Sequence, residues 1–354
     1  MSRFFSEKYK KLVPYTPGEQ PKDMQYVKLN TNESPFPPSP KAQAYAAQAA
    51  QQLHLYPDPE CTALTAKVAQ LCGVSPRQVL LTNGSDEILN FAFMAFCDDR
   101  NPAVFCDITY GFYEVFAQLG GVPYKKVALK DDFSVDVEAL AQERGTIFLA
   151  NPNAPTGLCL PLAQIERLLK SDPDRVVVVD EAYVDFGAES ACRLVDRYEN
   201  LLVTQTFSKS RSMAGARLGF GVGQQALIDD LNTVKYSTNP YNINRMTMAA
   251  GLGVLEDEEY TRKNCRAVMR TRENTAAALK AMGFEVLDSC TNFLFAKHPV
   301  LDGKQLYLDL KARGVLVRHF DAPRLSAYNR ITVGSDEQME IFLKTVTDIM
   351  EKNA

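Results

Sequence analysis

Six short apolar runs punctuate the middle of the chain: VLLT (79–82), AVFC (103–106), IFLA (147–150), VVVV (176–179), LLVTQ (201–205) and LGFGV (218–222). They are continuous rather than alternating, the mark of strands covered on both faces. Between them lie stretches of helical period, DEILNFAFMAF (86–96), YGFYEVFAQLG (110–120) and LAQIERLLKS (162–171). Strand alternating with helix predicts an α/β fold whose central sheet is mostly parallel and flanked by helices. The first forty residues lack such a period and are dense in proline, as in VPYTPGEQP (13–21) and SPFPPSP (34–40). Proline fixes φ and removes a donor, so an extended arm is expected over 1–40. An alanine-rich helical pattern starts at Lys41 and opens a large domain over 41–244. Beyond about 245 the pattern changes to a long helical region reaching 282, FEVLDSCTNFLFAKH, a helix near 303–313, VLVRHF, NRITVG and a last helix near 336–352. This predicts a smaller α+β domain with an antiparallel sheet over 245–354.

A length of 354 residues suits two domains. The net charge of −4 argues against a nucleic-acid partner held by bulk electrostatics. No apolar run approaches the roughly 18–20 residues of a membrane span, and MSRFFSEKYKKLVPYTPG lacks the apolar core of a signal peptide. The eight cysteines are scattered without a CxxC pair and only three histidines are present, so no metal site is expected. Free thiols in a reducing cytoplasm are the expectation.

Two segments carry the chemistry. VVVVDEAYVDF (176–186) ends a buried strand on Asp180, with Tyr183 three residues on. TQTFSKSRSMAGARLGF (204–220) ends a strand on Thr206, followed by Ser208, Lys209 and, eight residues later, Arg217. In open α/β sheets ligands lie beyond the carboxyl ends of the strands, and a buried carboxylate there needs a cation. Pyridoxal 5′-phosphate asks for these groups together: an amine to form an imine, an anion for its protonated ring nitrogen, and a cation with hydroxyls for its phosphate. Singly each residue has a plainer reading, Asp180 as a helix cap, Tyr183 as a surface tyrosine, Lys209 as a solvated lysine.

Further pieces agree. In LLTNGSDEILNF (80–91) a strand stops, Gly84 turns, and Ser85 and Asp86 open a helix whose N–H groups suit an anion. Tyr110 in DITYGFY (107–113) follows a strand where a ring could stack on the pyridine, and Asn153 in ANPNAPTG (150–157) is placed to bond the cofactor O3′. GFGVG (219–223) lacks the spacing of a nucleotide loop and is assigned to strand and turn.

VPYTPGEQP, KLNTNESPFPP, LYPDP (55–59), TNGSDE, ITYGFY, NPNAPTG, DEAYVDF, TFSKSRSMAGARLGF and VRHFDAPRLSAYNRITVGS, in this order over nearly the whole chain, resemble the histidinol-phosphate aminotransferases, pyridoxal-phosphate enzymes of fold type I. The resemblance implies that Lys209 carries the cofactor, Asp180 pairs with the ring nitrogen, Tyr183 contacts the ring hydroxyl and Tyr110 stacks on the ring. It assigns Ser85, Asp86, Ser208 and Arg217 to the phosphate, with Tyr56 reaching in from the neighbouring subunit of a homodimer that shares its active sites. Tyr15, Asn32, Arg318 and Arg330 would bind substrate. One departure is plain: the family commonly has Asn just before Pro-Thr-Gly, where this chain has Ala154, and Asn153 is the expected substitute.

The resemblance thus implies a transaminase exchanging the amino group between histidinol phosphate and 2-oxoglutarate, with glutamate as the other amino acid. Rivals of the same fold are threonine-phosphate decarboxylase and an aromatic or broad-range aminotransferase. A cofactor-sensing domain of a transcription regulator is disfavoured, because no helix-turn-helix pattern precedes the fold.

Overall fold

A computed structural model describes residues 2–353. Thirteen strands are present among the described residues. The first, β1 (Val27–Lys28), lies in the expected arm, after a 3₁₀ turn at Glu7–Tyr9. Then come β2 (Val79–Thr82), β3 (Ala103–Cys106), β4 (Tyr124–Val127), β5 (Thr146–Ala150), β6 (Val177–Asp180), β7 (Leu201–Thr206) and β8 (Gly219–Gly223). These seven form one sheet in the order β2-β8-β7-β6-β5-β3-β4. Only β8 runs opposite to the other six.

All residues of β2, β3, β5, β6, β7 and β8 are buried, which explains their continuous apolar runs. Alternate residues face opposite layers. Leu81, Val104, Ile147, Val179 and Val203 join the core with Ile165, Leu168 and Leu169 of the helix Leu162–Ser171. Leu80, Phe105, Phe148, Val178 and Leu202 pack with Ile88, Phe93 and Phe116 from the helices Ser85–Phe96 and Phe112–Gly120. The edge strand β4 escaped the sequence reading. Its YKKV exposes Lys125 and Lys126, which bind Glu143 and Glu114 in solvent, as suits an edge guarded by charge.

The region predicted as one long helix is two, Arg245–Leu255 and Glu258–Ala281, broken at Glu256–Asp257. The first packs along the helix Pro40–Ala50, and its Ala250 and Val254 share a core with Ala42, Leu64 and Leu218. It packs with the helices of the large body rather than with the sheet that follows. Beyond it, β9 (Glu285–Val286), β10 (Phe293–Lys297), β11 (Val315–Leu316), β12 (Arg318–His319) and β13 (Tyr328–Thr332) follow. Four of them make an antiparallel sheet in the order β12-β13-β10-β9. The helices Gly303–Ala312 and Asp336–Asn353 cover it through Leu306, Leu310, Met339, Phe342 and Val346.

The arm is not merely extended. β1 pairs in parallel with β11, and Leu29 is buried in the small core. Its N–H donates to the Leu316 carbonyl at 2.8 Å and its carbonyl accepts from Thr332 N–H at 2.9 Å. Among the described residues no helix is long and apolar enough to cross a membrane.

Candidate active site

The carboxyl ends of β5, β6 and β7 meet at one level, where Ala150, Asp180 and Thr204 stand in register. Asp180 closes β6 and is buried. Its Oδ2 accepts a hydrogen bond from the Tyr113 hydroxyl at 2.9 Å, while its Oδ1 is buried with no partner. Burial pushes the carboxyl up to about 7 against the opposing bonds from Tyr113 and the Ala182 N–H. The adjacent Glu181 is also buried and pushed up to about 7. Its oxygens, however, accept from Ser190 at 2.6 Å, Ala191 N–H at 2.6 Å and Gln205 at 2.9 Å. Glu181 is a satisfied structural acid. Asp180 borders the cavity and keeps one oxygen waiting for a donor.

That cavity, of about 220 Å³, is also lined by Ser85, Tyr110, Thr206, Ser208, Lys209 and Arg217. Lys209 follows β7, and its Nζ donates to the Thr31 carbonyl at 3.1 Å and lies 5.7 Å over the Tyr183 ring. The Tyr183 hydroxyl accepts from Asn32 Nδ2 at 2.9 Å. At the other end Arg217 Nη1 donates to Ser208 Oγ at 3.3 Å and Nη2 to Asp86 Oδ2 at 3.2 Å, with Thr206 Oγ1 bonded to Ser208 Oγ at 2.9 Å. Two glycines make this cradle possible. A Cβ on Gly219 would lie 2.4 Å from the Ser85 nitrogen, and one on Gly84, whose φ is +81°, 2.6 Å from Arg217 Nη2. The helix Ser85–Phe96 begins after Gly84 with no side-chain cap, so its first turn has N–H capacity for an anion. The Asp86 carboxylate accepts from Tyr110 at 2.8 Å as well as from Arg217, and so orients both.

A second cavity of about 530 Å³ adjoins the first and shares Thr31, Tyr110, Ala154, Tyr183 and Lys209 with it. Tyr15, Asn30, Asn32, Arg318 and Arg330 line its far wall. Arg318 and Arg330 are direct register partners across β12 and β13, so their side chains leave the same face of the small sheet. Arg330 donates to the Asn30 carbonyl at 3.0 Å, and its buried Nε has no partner. Arg318 makes long hydrogen bonds, 3.4 Å each, to the Thr16 and Pro17 carbonyls and lies 5.5 Å over the Phe320 ring. Burial raises the Tyr15 hydroxyl above its ordinary pKa, although Arg330 and Arg318 pull it down. Two guanidinium groups with spare donors, beside a lysine amine, make a receptor for a substrate carrying two anionic groups.

Asn153 and Tyr56 do not line the cavity of this chain. Asn153 is committed to its own loop: Nδ2 donates to the Ile108 carbonyl and Thr156 Oγ1 at 3.0 and 3.1 Å, and Oδ1 accepts from Thr109 at 2.9 Å. It fixes that loop, and the apolar Ala154 faces the cavity in its place. Tyr56 is 79% exposed, stacked on Tyr241 at 4.7 Å, and lines neither cavity within this chain. Conversely, Tyr113 and the Thr31 carbonyl were missed. Tyr113 in ITYGFYEV has the look of any core aromatic, and only its three-residue spacing from Tyr110 at a helix start hinted at a shared site. A backbone acceptor leaves no signal in side-chain pattern.

The residues fit pyridoxal phosphate on structural grounds. The partnerless Asp180 Oδ1 suits a ring N–H cation, the Gly84–Ser85 turn with Ser208 and Arg217 suits a phosphate, and Lys209 supplies the amine. The profile of the class I and II aminotransferases matches residues 24–346. Among curated relatives, histidinol-phosphate aminotransferase 2 of Dechloromonas aromatica is 50% identical, the match covering 99% of each chain. The histidinol-phosphate aminotransferase of Brachyspira hyodysenteriae is 46% identical, over 99% of this chain and 100% of that one. The crystal structure of histidinol-phosphate aminotransferase from Sinorhizobium meliloti in complex with pyridoxal-5′-phosphate shares the fold, with a TM-score of 0.86 at 23% identity over 93% of this chain and 92% of that one.

Proposed function

The chain belongs to the class I and II aminotransferase family, and on that premise we propose that it is a histidinol-phosphate aminotransferase dependent on pyridoxal phosphate. It interconverts L-histidinol phosphate and 2-oxoglutarate with imidazole-acetol phosphate and L-glutamate. The observation that carries this reading is the Arg318–Arg330 pair across β12 and β13. Glutamate presents two carboxylates, whereas histidinol phosphate presents one phosphate ester and an uncharged carbon at the α position. A pair of forked cations with unfilled donors accepts either.

When bound, the cofactor supplies an electron sink that stabilises charge at the substrate Cα and carries the amino group between half-reactions. The chain does the rest. The partnerless Asp180 Oδ1 would hold a proton at the ring nitrogen, and the Tyr113 hydroxyl fixes the other carboxylate oxygen. Tyr183, braced by Asn32, stands beside the Lys209 amine, which on leaving the Thr31 carbonyl would take the proton from the substrate Cα. Ser208, Arg217 and the first turn of Ser85–Phe96 anchor the phosphate, and Arg330 with Arg318 orients the substrate.

We also propose a cytoplasmic homodimer in which Tyr56, exposed beside the exposed Leu53 and Leu55, reaches the partner's phosphate cradle. Mixing inactive Lys209→Ala with impaired Tyr56→Phe protomers should then restore partial activity, and a fully active monomer would exclude it.

The decisive assay offers histidinol phosphate, histidinol and threonine phosphate in turn, following glutamate and carbon dioxide. Glutamate from histidinol phosphate alone is the expected result. Equal turnover of histidinol would favour a broad-range aminotransferase, and carbon dioxide from threonine phosphate would favour the decarboxylase.

A further inference from the structure

The cysteines outside the cavity differ in character. Burial pushes Cys61 up to about 11 and Cys97, Cys106 and Cys265 up to about 12, so these thiols resist ionisation at neutral pH. Cys159 is exposed, and its Sγ lies 2.8 Å from that of Cys290, a residue 131 positions away. The main chain holds this meeting in place. The Cys290 N–H donates to the Gly157 carbonyl at 2.9 Å, and Arg272 Nη1 donates at 2.8 Å to the carbonyls of both Thr291 and Phe186. The Cys290 thiol bonds Cys159 and, with the more distant charge of Arg272, lowers its thiol to about 7 despite partial burial. The same contact raises Cys290. Cys72 and Cys192 also interact, but Cys192 is buried and raised well above its ordinary value.

We propose that Cys159 and Cys290 form a reversible oxidation site, which a hydroperoxide converts to a disulfide tying the loop that carries Pro152 and Ala154 to the hairpin before β10. In the first step the Cys159 thiolate attacks a peroxide oxygen. The O–O bond breaks, the leaving oxygen takes a proton and departs as water or alcohol, and Cys159 becomes a sulfenic acid. In the second, the Cys290 sulfur attacks the Cys159 sulfur, the S–O bond breaks, and the hydroxyl leaves as water with the Cys290 proton. Two thiols lose two electrons and one hydroperoxide gains them. The sulfurs need to close by only about 0.8 Å from their present separation to reach bonding distance. Cys290 thereby captures the sulfenic acid before further oxidation.

The test treats the cofactor-loaded full chain with graded hydrogen peroxide, alkylates the remaining thiols and maps the peptides. Wild type should lose two of its eight alkylatable thiols, yield one joined peptide pair bearing Cys159 and Cys290, and recover both with dithiothreitol. Cys290→Ser should leave Cys159 as a sulfenic acid that dimedone traps, and Cys159→Ser should leave Cys290 alkylatable. Joining of Cys72 to Cys192 alone, accumulation of Cys159 sulfinic acid in wild type, or eight thiols persisting at every dose would overturn the assignment.

Discussion

The two walls of the site are built in different ways. The wall that carries Asp180, Thr206, Ser208 and Lys209 comes from adjacent parallel strands and the turns that leave them, so ladder hydrogen bonds fix its spacing. The opposite wall draws Tyr15 and Asn32 from the amino-terminal arm and Arg318 and Arg330 from the small sheet. There, bonds such as Thr332 Oγ1 to Asn32 Oδ1, at 3.0 Å, join residues 300 apart in sequence. The first wall is a rigid seat for a shared chemical apparatus. The second is an assembly of remote pieces, where substrate choice can change without disturbing the seat. Substitutions should therefore divide, the first wall governing kcat and cofactor retention and the second governing KM and selectivity.

The largest expected effect tests the first wall. Lys209→Ala should cost at least about three orders of magnitude in turnover, since amine and proton carrier go together. Borohydride should fix reduced cofactor on a peptide bearing Lys209 in wild type, and label elsewhere would sink the assignment. Asp180→Asn should lower kcat by about a hundredfold, the scale of one lost preorganised electrostatic group, with KM little changed. It has a second signature in cofactor-free protein. With its carboxyl raised to about 7 from 3.8, folded protein holds the proton longer than unfolded chain, so stability falls as pH rises across that window. Asp180→Asn should flatten part of that fall in thermal unfolding between pH 4 and 8, Glu181 supplying the remainder. An unchanged slope would mean that Asp180 is solvated.

On the second wall, Arg330→Lys replaces a fork with a point charge and should weaken both glutamate and histidinol phosphate roughly 30-fold, from about 2 kcal/mol for one charged contact. If kcat fell instead while both KM values held, the division between the walls would fail. Tyr113→Phe is the smaller probe, about tenfold in kcat for one hydrogen bond to a charged group. Titrating the cofactor absorbance should also show a shifted pH dependence, which loss of packing alone would not produce.

The sheet was legible because strands buried on both faces leave unbroken apolar runs, and β2 and β3 fall at the predicted residues. β4 was not, because an edge strand with Lys125 and Lys126 looks like a loop. The groups of the first wall lie at strand ends, where chemistry and local pattern coincide. Asn153 misled because its loop has enough turn residues to suggest a free amide, and only the fold shows Ile108, Thr109 and Thr156 consuming it. The helix break at Glu256–Asp257 was hidden since no proline or glycine marks it. Arg318 in VLVRHF and Arg330 in NRITVG were expected on adjacent strands facing one pocket, and the register of β12 and β13 sets them directly opposite each other.

The seam between the arm and the small sheet also imposes an order in time. Ribosomes release residues 27–32 long before their partners at 315–316 and 332, and Thr332 lies 300 positions after Asn32. At elongation speeds of ~5–20 residues per second, that gap lasts about 15–60 s. In the last part of it the nascent chain contains Asp180 and Lys209, but Thr31 and Asn32 have no scaffold to bring them over the amine and the Tyr183 ring. Closure of the pocket therefore waits for β11 and β13.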